Sequence, residues 1–89
     1  LAECLAEAGA AAGLPADLAA RLARATVGGA GELMHRAAET SPAQLRINVT
    51  SPGGTTEAAL GVLMANDGLK PLMQRAVAAA AARAKALSG

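Results

Sequence analysis

The chain has 89 residues, 53% of them hydrophobic, with no Phe, Tyr or Trp but 26 Ala and 10 Gly, so helices are favoured and any core they build is thin. Eight basic against seven acidic residues leave a net charge of +1; this is no electrostatic footprint for nucleic acid, and without aromatics there are no stacking platforms for single strands. One cysteine, Cys4, and one histidine, His35, exclude an internal disulfide, a cysteine-based metal site and a His pair for zinc.

The first stretch, Leu1 to Ala12, places Leu1, Leu5, Ala8 and Ala12 on one face and reads as the tail of a helix whose beginning is missing. Gly13-Leu14-Pro15 ends it. The second helix is expected from Pro15 to Ala38, with Pro15 in its first turn and Asp17 at the positive dipole end. Leu14, Leu18, Leu22, Ala25, Thr26, Gly29 and Leu33 follow the spacing of one buried face. Gly28, Gly29 and Gly31 interrupt its middle, each at about 1 kcal/mol relative to Ala. The pattern fits a helix whose backbone another helix approaches closely better than it fits a break.

Ser41-Pro42-Ala43-Gln44 is a capping box that opens a short helix to about Val49. Thr50 to Thr56 is a loop without large apolar side chains, and a further helix is expected from Thr55 or Thr56 to about Ala65, with Leu60, Leu63 and Met64 inside. Asn66-Asp67-Gly68 signals a turn. The last helix, Leu69 to about Leu87, carries the cleanest stripe: Leu69, Leu72, Met73, Ala76, Val77, Ala80, Ala84 and Leu87. Nothing reads as a strand, so the fold class is all-α. No apolar run reaches the roughly 18 residues of a membrane span, and there is no signal-peptide layout. The expectation is a reduced, cytoplasmic protein that binds neither nucleic acid nor membrane.

One segment carries candidate chemistry. Ser51-Pro52-Gly53-Gly54-Thr55-Thr56 joins two helices with two glycines, a proline and three hydroxyls. Such a loop can aim successive backbone N–H groups at one point, and the following helix adds free N–H groups and its positive end, a setting for a small anion such as a carboxylate. A plain turn and cap accounts for the same residues. The loop is not a P-loop, which needs Lys and Ser or Thr after spaced glycines. It is not a dinucleotide fingerprint or a Gly-x-Ser-x-Gly elbow.

Val49-Thr50-Ser51-Pro52-Gly53-Gly54-Thr55-Thr56, followed by a helix, resembles the signature of the pyrroline-5-carboxylate reductase family. Ala12-Gly13-Leu14-Pro15, Thr26-Val27 with Gly29-Ala30, Pro42 with Leu45, and Gly68-Leu69 with Ala76-Val77, Arg83 and Leu87 extend the likeness along the chain. Departures at Ala25, Ile47, Met64, Ala65 and the Asn66-Asp67-Gly68 turn lie outside the loop. The resemblance implies reduction of 1-pyrroline-5-carboxylate to L-proline with NADPH or NADH. It implies a helical C-terminal domain like that of 6-phosphogluconate dehydrogenase-type reductases, an intertwined homodimer and rings of dimers. An N-terminal Rossmann domain, absent from residues 1–89, would hold the cofactor. Carried over residue by residue, Ser51 and the N–H groups around Gly54 and Thr55 would hold the substrate carboxylate. Pro52 and Gly53 would shape the loop, and Thr56 would hydrogen-bond the ring nitrogen and help protonate it. The rival reading is a non-enzymatic helical dimerisation module that has lost its Rossmann partner; a weaker one is a helical adaptor.

The remaining candidates read as structural. His35 suits a surface position at the negative end of its helix, Cys4 a small buried residue, and Glu39 and Glu57 solvated or structural positions at helix ends. A role for Glu39 in positioning the loop is the minor alternative. Met34, Met64 and Met73 fit core or dimer-interface filler, and the dispersed Lys and Arg residues a solvated surface.

Overall fold

Alanine opposes helix formation less than any other residue, and the computed structural model, which describes residues 1–89, is all helix and turn. The helices are α1 (Ala2–Ala11), α2 (Ala16–Arg36), α3 (Pro42–Asn48), α4 (Thr55–Leu63) and α5 (Leu69–Ser88). Each expected helix is present, with ends no more than two residues from the expected ones. The chain divides into two units, Leu1–Arg46 and Ile47–Gly89.

In the first unit, glycine sets how α1 ends and how closely α2 approaches it. Gly13 takes φ +112°, its N–H donates to the Ala10 carbonyl (3.1 Å), and the Leu14 N–H donates to that of Gly9 (3.1 Å). This Schellman pair satisfies two of the open carbonyls of α1. The returning α2 then packs on α1 through small side chains. A Cβ on Gly9 would stand 3.3 Å from the Cβ of Ala19. Ala19 and Ala23, one turn apart and each 3% exposed, are the buried side chains of the chain.

The expected buried face of α2 is therefore not the one α1 covers. Leu14, Leu22 and Leu33 are exposed, as are Ala25, Thr26 and Gly29, and Leu18 is half-buried. Small residues permit the closest backbone approach, so α1 settles on the neighbouring alanine strip. The helix runs unbroken through Gly28, Gly29 and Gly31, as expected, but no atom lies within 4 Å of where their Cβ atoms would stand. The close approach is not made by a helix of this chain. Cys4 is exposed rather than buried, because it lies on a side of α1 that nothing covers. Thr26 donates its hydroxyl to the Leu22 carbonyl (2.7 Å). Arg36 Nε donates to Glu32 Oε1 (2.6 Å) across one exposed turn, worth a few tenths of a kcal/mol. The capping of α3 matches expectation: the Gln44 N–H donates to Ser41 Oγ (3.1 Å).

The second unit has helices but no buried side chain. Leu63 and Met64, expected inside, are exposed, and Leu60 is half-buried. The stripe on α5 is open along its length, from Leu69 through Met73 and Val77 to Leu87. Periodicity identified these faces correctly as apolar, but nothing within the chain covers them. No helix is long and apolar enough to cross a membrane.

Gly68 is required by the turn between α4 and α5. Its N–H donates to the Ala65 carbonyl (2.9 Å). A Cβ there would overlap the Leu63 carbonyl oxygen and stand 2.9 Å from that of Val62. Gly68→Ala is expected to destabilise the fold by about 1–3 kcal/mol, the usual cost of overpacking. The check is the urea midpoint; an unchanged midpoint would mean the turn shifts freely.

Candidate functional site

Between α3 and α4 the chain makes a tight turn whose geometry follows from Pro52 and Gly53. The Gly54 N–H donates to the Ser51 carbonyl (3.0 Å). Proline suits the second position of such a turn, and Gly53, with φ +73°, supplies the left-handed third position; together these are the marks of a type II turn. A Cβ on Gly54 would lie 3.1 Å from the Ser51 carbonyl oxygen, so the second glycine lets the turn close tightly. Gly54 is then the N-cap of α4, extended at φ −87° and ψ −179°, and caps with no side chain.

This arrangement separates committed donors from open ones. The Gly54 N–H belongs to the turn, and the Gly53 N–H donates to Glu57 Oε1 (3.2 Å). The first helical bond of α4 is made by Ala58, to the Gly54 carbonyl (3.2 Å). The N–H groups of Thr55, Thr56 and Glu57 have no partner in the chain, nor do the hydroxyls of Ser51, Thr55 and Thr56. Of the amides that the sequence suggested for an anion, that of Thr55 is open and that of Gly54 is not. All six loop residues are exposed except Gly54, which is half-buried. The site is an open rim of donors at the positive end of a helix, able to accept a carboxylate, with a hydroxyl one residue further along.

The other candidates lie where solvent reaches them. His35 is exposed in the last turn of α2, and Glu39 is exposed in the turn beyond it. Met34, Met64 and Met73 are about half exposed and fill no core of this chain. Glu57 is structural, as the sequence suggested: its carboxylate accepts the Gly53 N–H at the start of α4. It stands three residues after the N-cap glycine, where the acidic member of a capping box reaches back to an N–H; that spacing was the available signal.

The chain matches the family of pyrroline-5-carboxylate reductase dimerisation domains over residues 1–87. It belongs to this family. Among its curated relatives, the pyrroline-5-carboxylate reductase of Glycine max is 45% identical over 86 residues, covering 97% of this chain and 31% of the relative. That of Pseudomonas aeruginosa is 41% identical over 88 residues, covering 99% of this chain and 32% of the relative. That of Synechocystis is 51% identical over 61 residues, covering 68% of this chain and 22% of the relative. The chain thus spans about a third of the length of the first two. No solved structure matches it significantly. The dimerisation-domain family fits a chain whose apolar helix faces are left open.

Gly53→Ala is expected to cost about 1–2 kcal/mol, the penalty of a Cβ in the left-handed region. It should appear as a lowered urea midpoint. A variant as stable as the parent would show that the loop can adopt another turn.

Proposed function

We propose that this chain is the C-terminal dimerisation and substrate-binding domain of a pyrroline-5-carboxylate reductase, the oxidoreductase of proline biosynthesis that converts 1-pyrroline-5-carboxylate to L-proline. Membership of the dimerisation family over residues 1–87 supports this. The observation that carries the site is the set of open donors on Ser51, Thr55 and Thr56 beside a turn whose own N–H groups are already committed. A non-enzymatic dimerisation module is less favoured, because it gives no reason to keep three open hydroxyls on a glycine-shaped loop.

In this reading the Ser51 hydroxyl and the Thr55 N–H bind the substrate carboxylate, and the positive end of α4 favours its charge. Pro52, Gly53 and Gly54 hold the turn. The Thr56 hydroxyl hydrogen-bonds the ring nitrogen. As the carbon–nitrogen double bond is reduced, its π pair moves to nitrogen, and Thr56 delivers or relays the proton that nitrogen takes up. Gly53-Gly54 is not a Gly-x-Gly-x-x-Gly segment after a strand. The hydride is assigned to NADPH or NADH on an N-terminal Rossmann domain outside residues 1–89, so this chain contributes orientation and charge placement.

The dimer is part of the same proposal: a second copy covers the open faces of α2 and α5, and rings of dimers are the larger assembly. A cytoplasmic setting is consistent with the exposed lone thiol of Cys4.

Two measurements test the reading. In the full-length reductase, Thr56→Ala should lower kcat by about 100-fold, the low end of what a positioned proton donor supplies, while Thr56→Ser retains most of the activity. A Thr56→Ala enzyme within two-fold of the parent would remove Thr56 from the chemistry. For the isolated 89-residue chain, a homodimer predicts a melting temperature that rises with protein concentration, and no reductase turnover. A concentration-independent transition would argue against dimerisation, and turnover against the assigned division of labour.

A further inference from the structure

We infer that Glu57 is a positioning residue for the substrate-carboxylate site, acting by clasping Gly53; the inference rests on the proposed reading of the loop. Glu57 Oε1 accepts the Gly53 N–H at 3.2 Å. This ties the first turn of α4 back to the residue with φ +73°. Gly53 has no side chain to hold it there, and glycine is the residue with most conformational freedom to lose on ordering. The Ser51–Gly54 hydrogen bond closes one side of the turn, and the Glu57 clasp fixes the other. Both Gly54, as N-cap of α4, and the open N–H of Thr55 follow directly from Gly53 along the chain. A rotation at Gly53 therefore moves the donors that face the carboxylate.

The clasp has a second consequence. The Gly53 N–H is committed to Glu57 and the Gly54 N–H to the Ser51 carbonyl, so neither glycine amide is left for a carboxylate. The anion is thereby directed to Ser51 and Thr55. The clasp needs an acceptor and does not need a charge. Glutamine preserves the acceptor oxygen at the same reach; alanine removes it.

The test uses the full-length reductase with Glu57→Ala and Glu57→Gln, measuring KM for 1-pyrroline-5-carboxylate, kcat, and amide hydrogen exchange at Gly53. Expected for Glu57→Ala are a KM raised about three- to ten-fold, as loss of one hydrogen bond allows, kcat near the parent value, and faster exchange at Gly53. Glu57→Gln should restore KM and exchange. A Glu57→Ala enzyme with unchanged KM and exchange overturns the inference. So does a Glu57→Gln enzyme as impaired as Glu57→Ala, which would make the charge rather than the clasp the active feature. If the parent protein does not reduce 1-pyrroline-5-carboxylate, it is the functional reading that fails. Exchange at Gly53 in the two variants still decides whether the clasp exists.

Discussion

The chain is held internally by methyl groups, and the rest of its architecture depends on that. Its buried side chains are Ala19 and Ala23, packed where Gly9 lets α1 come close. A buried methyl contributes about 0.8 kcal/mol, whereas a buried Leu or Met contributes about 1.5–3. Sixteen of the twenty Leu, Ile, Val and Met residues are exposed and the other four half-buried. Covering what those sixteen still expose would bury far more apolar surface than the two alanine methyls do. The internal contact therefore serves to pair α1 with α2, while most of the available hydrophobic stabilisation lies on surfaces this chain does not cover. A dimerisation domain has this character: small residues hold a protomer together loosely, and large ones wait for a partner.

The loop before α4 follows the same logic at the level of polar groups. A helix start has more N–H groups than partners, and most helices satisfy some of them with a Ser, Thr, Asp or Asn at the N-cap. Here the N-cap is Gly54, with no side chain to offer. The nearest hydroxyls, on Ser51, Thr55 and Thr56, make no intrachain bond. Glu57 meanwhile satisfies Gly53, and Ser51 satisfies Gly54 through its carbonyl. The groups that set the backbone geometry are paired, and those left over form one short run of donors.

Helix positions were legible in the sequence because their ends are set by local chemistry: the Ser41 cap, the left-handed Gly13, the crowded Gly68. Burial was not, because periodicity reports which face is apolar and not what covers it. The Leu18, Leu22 and Leu33 stripe of α2 was identified as a face, yet α1 packs beside it on Ala19 and Ala23. Alanine hardly marks a face in a chain where it is the commonest residue, so that strip gave no signal. Cysteine's usual burial is a property of the residue type and not of its place: Cys4 sits on α1 between Glu3 and Glu7, and it is exposed. At the loop, the hydroxyls and glycines were legible as a motif, but which amides stay open required the turn itself. The Ser51 carbonyl takes the Gly54 N–H, and the reach of Glu57 takes that of Gly53.

The two features together bear on how the site works. An anion held by exposed donors interacts weakly, because water screens the charges and competes for the same hydrogen bonds; at 4 Å a unit pair is worth about 1 kcal/mol in water and several times that at the effective dielectric near a protein surface. Ser51, Thr55 and Thr56 are all exposed in the lone chain, so the loop by itself supplies geometry without desolvation. In the proposed reading, cover comes from a second copy, from a cofactor-bearing domain, or from both. The apolar faces demand the same thing for their own reason. In that reading one association covers both the apolar helix faces and the exposed loop, so the event that stabilises the fold is also the one that strengthens the loop's hold on an anion.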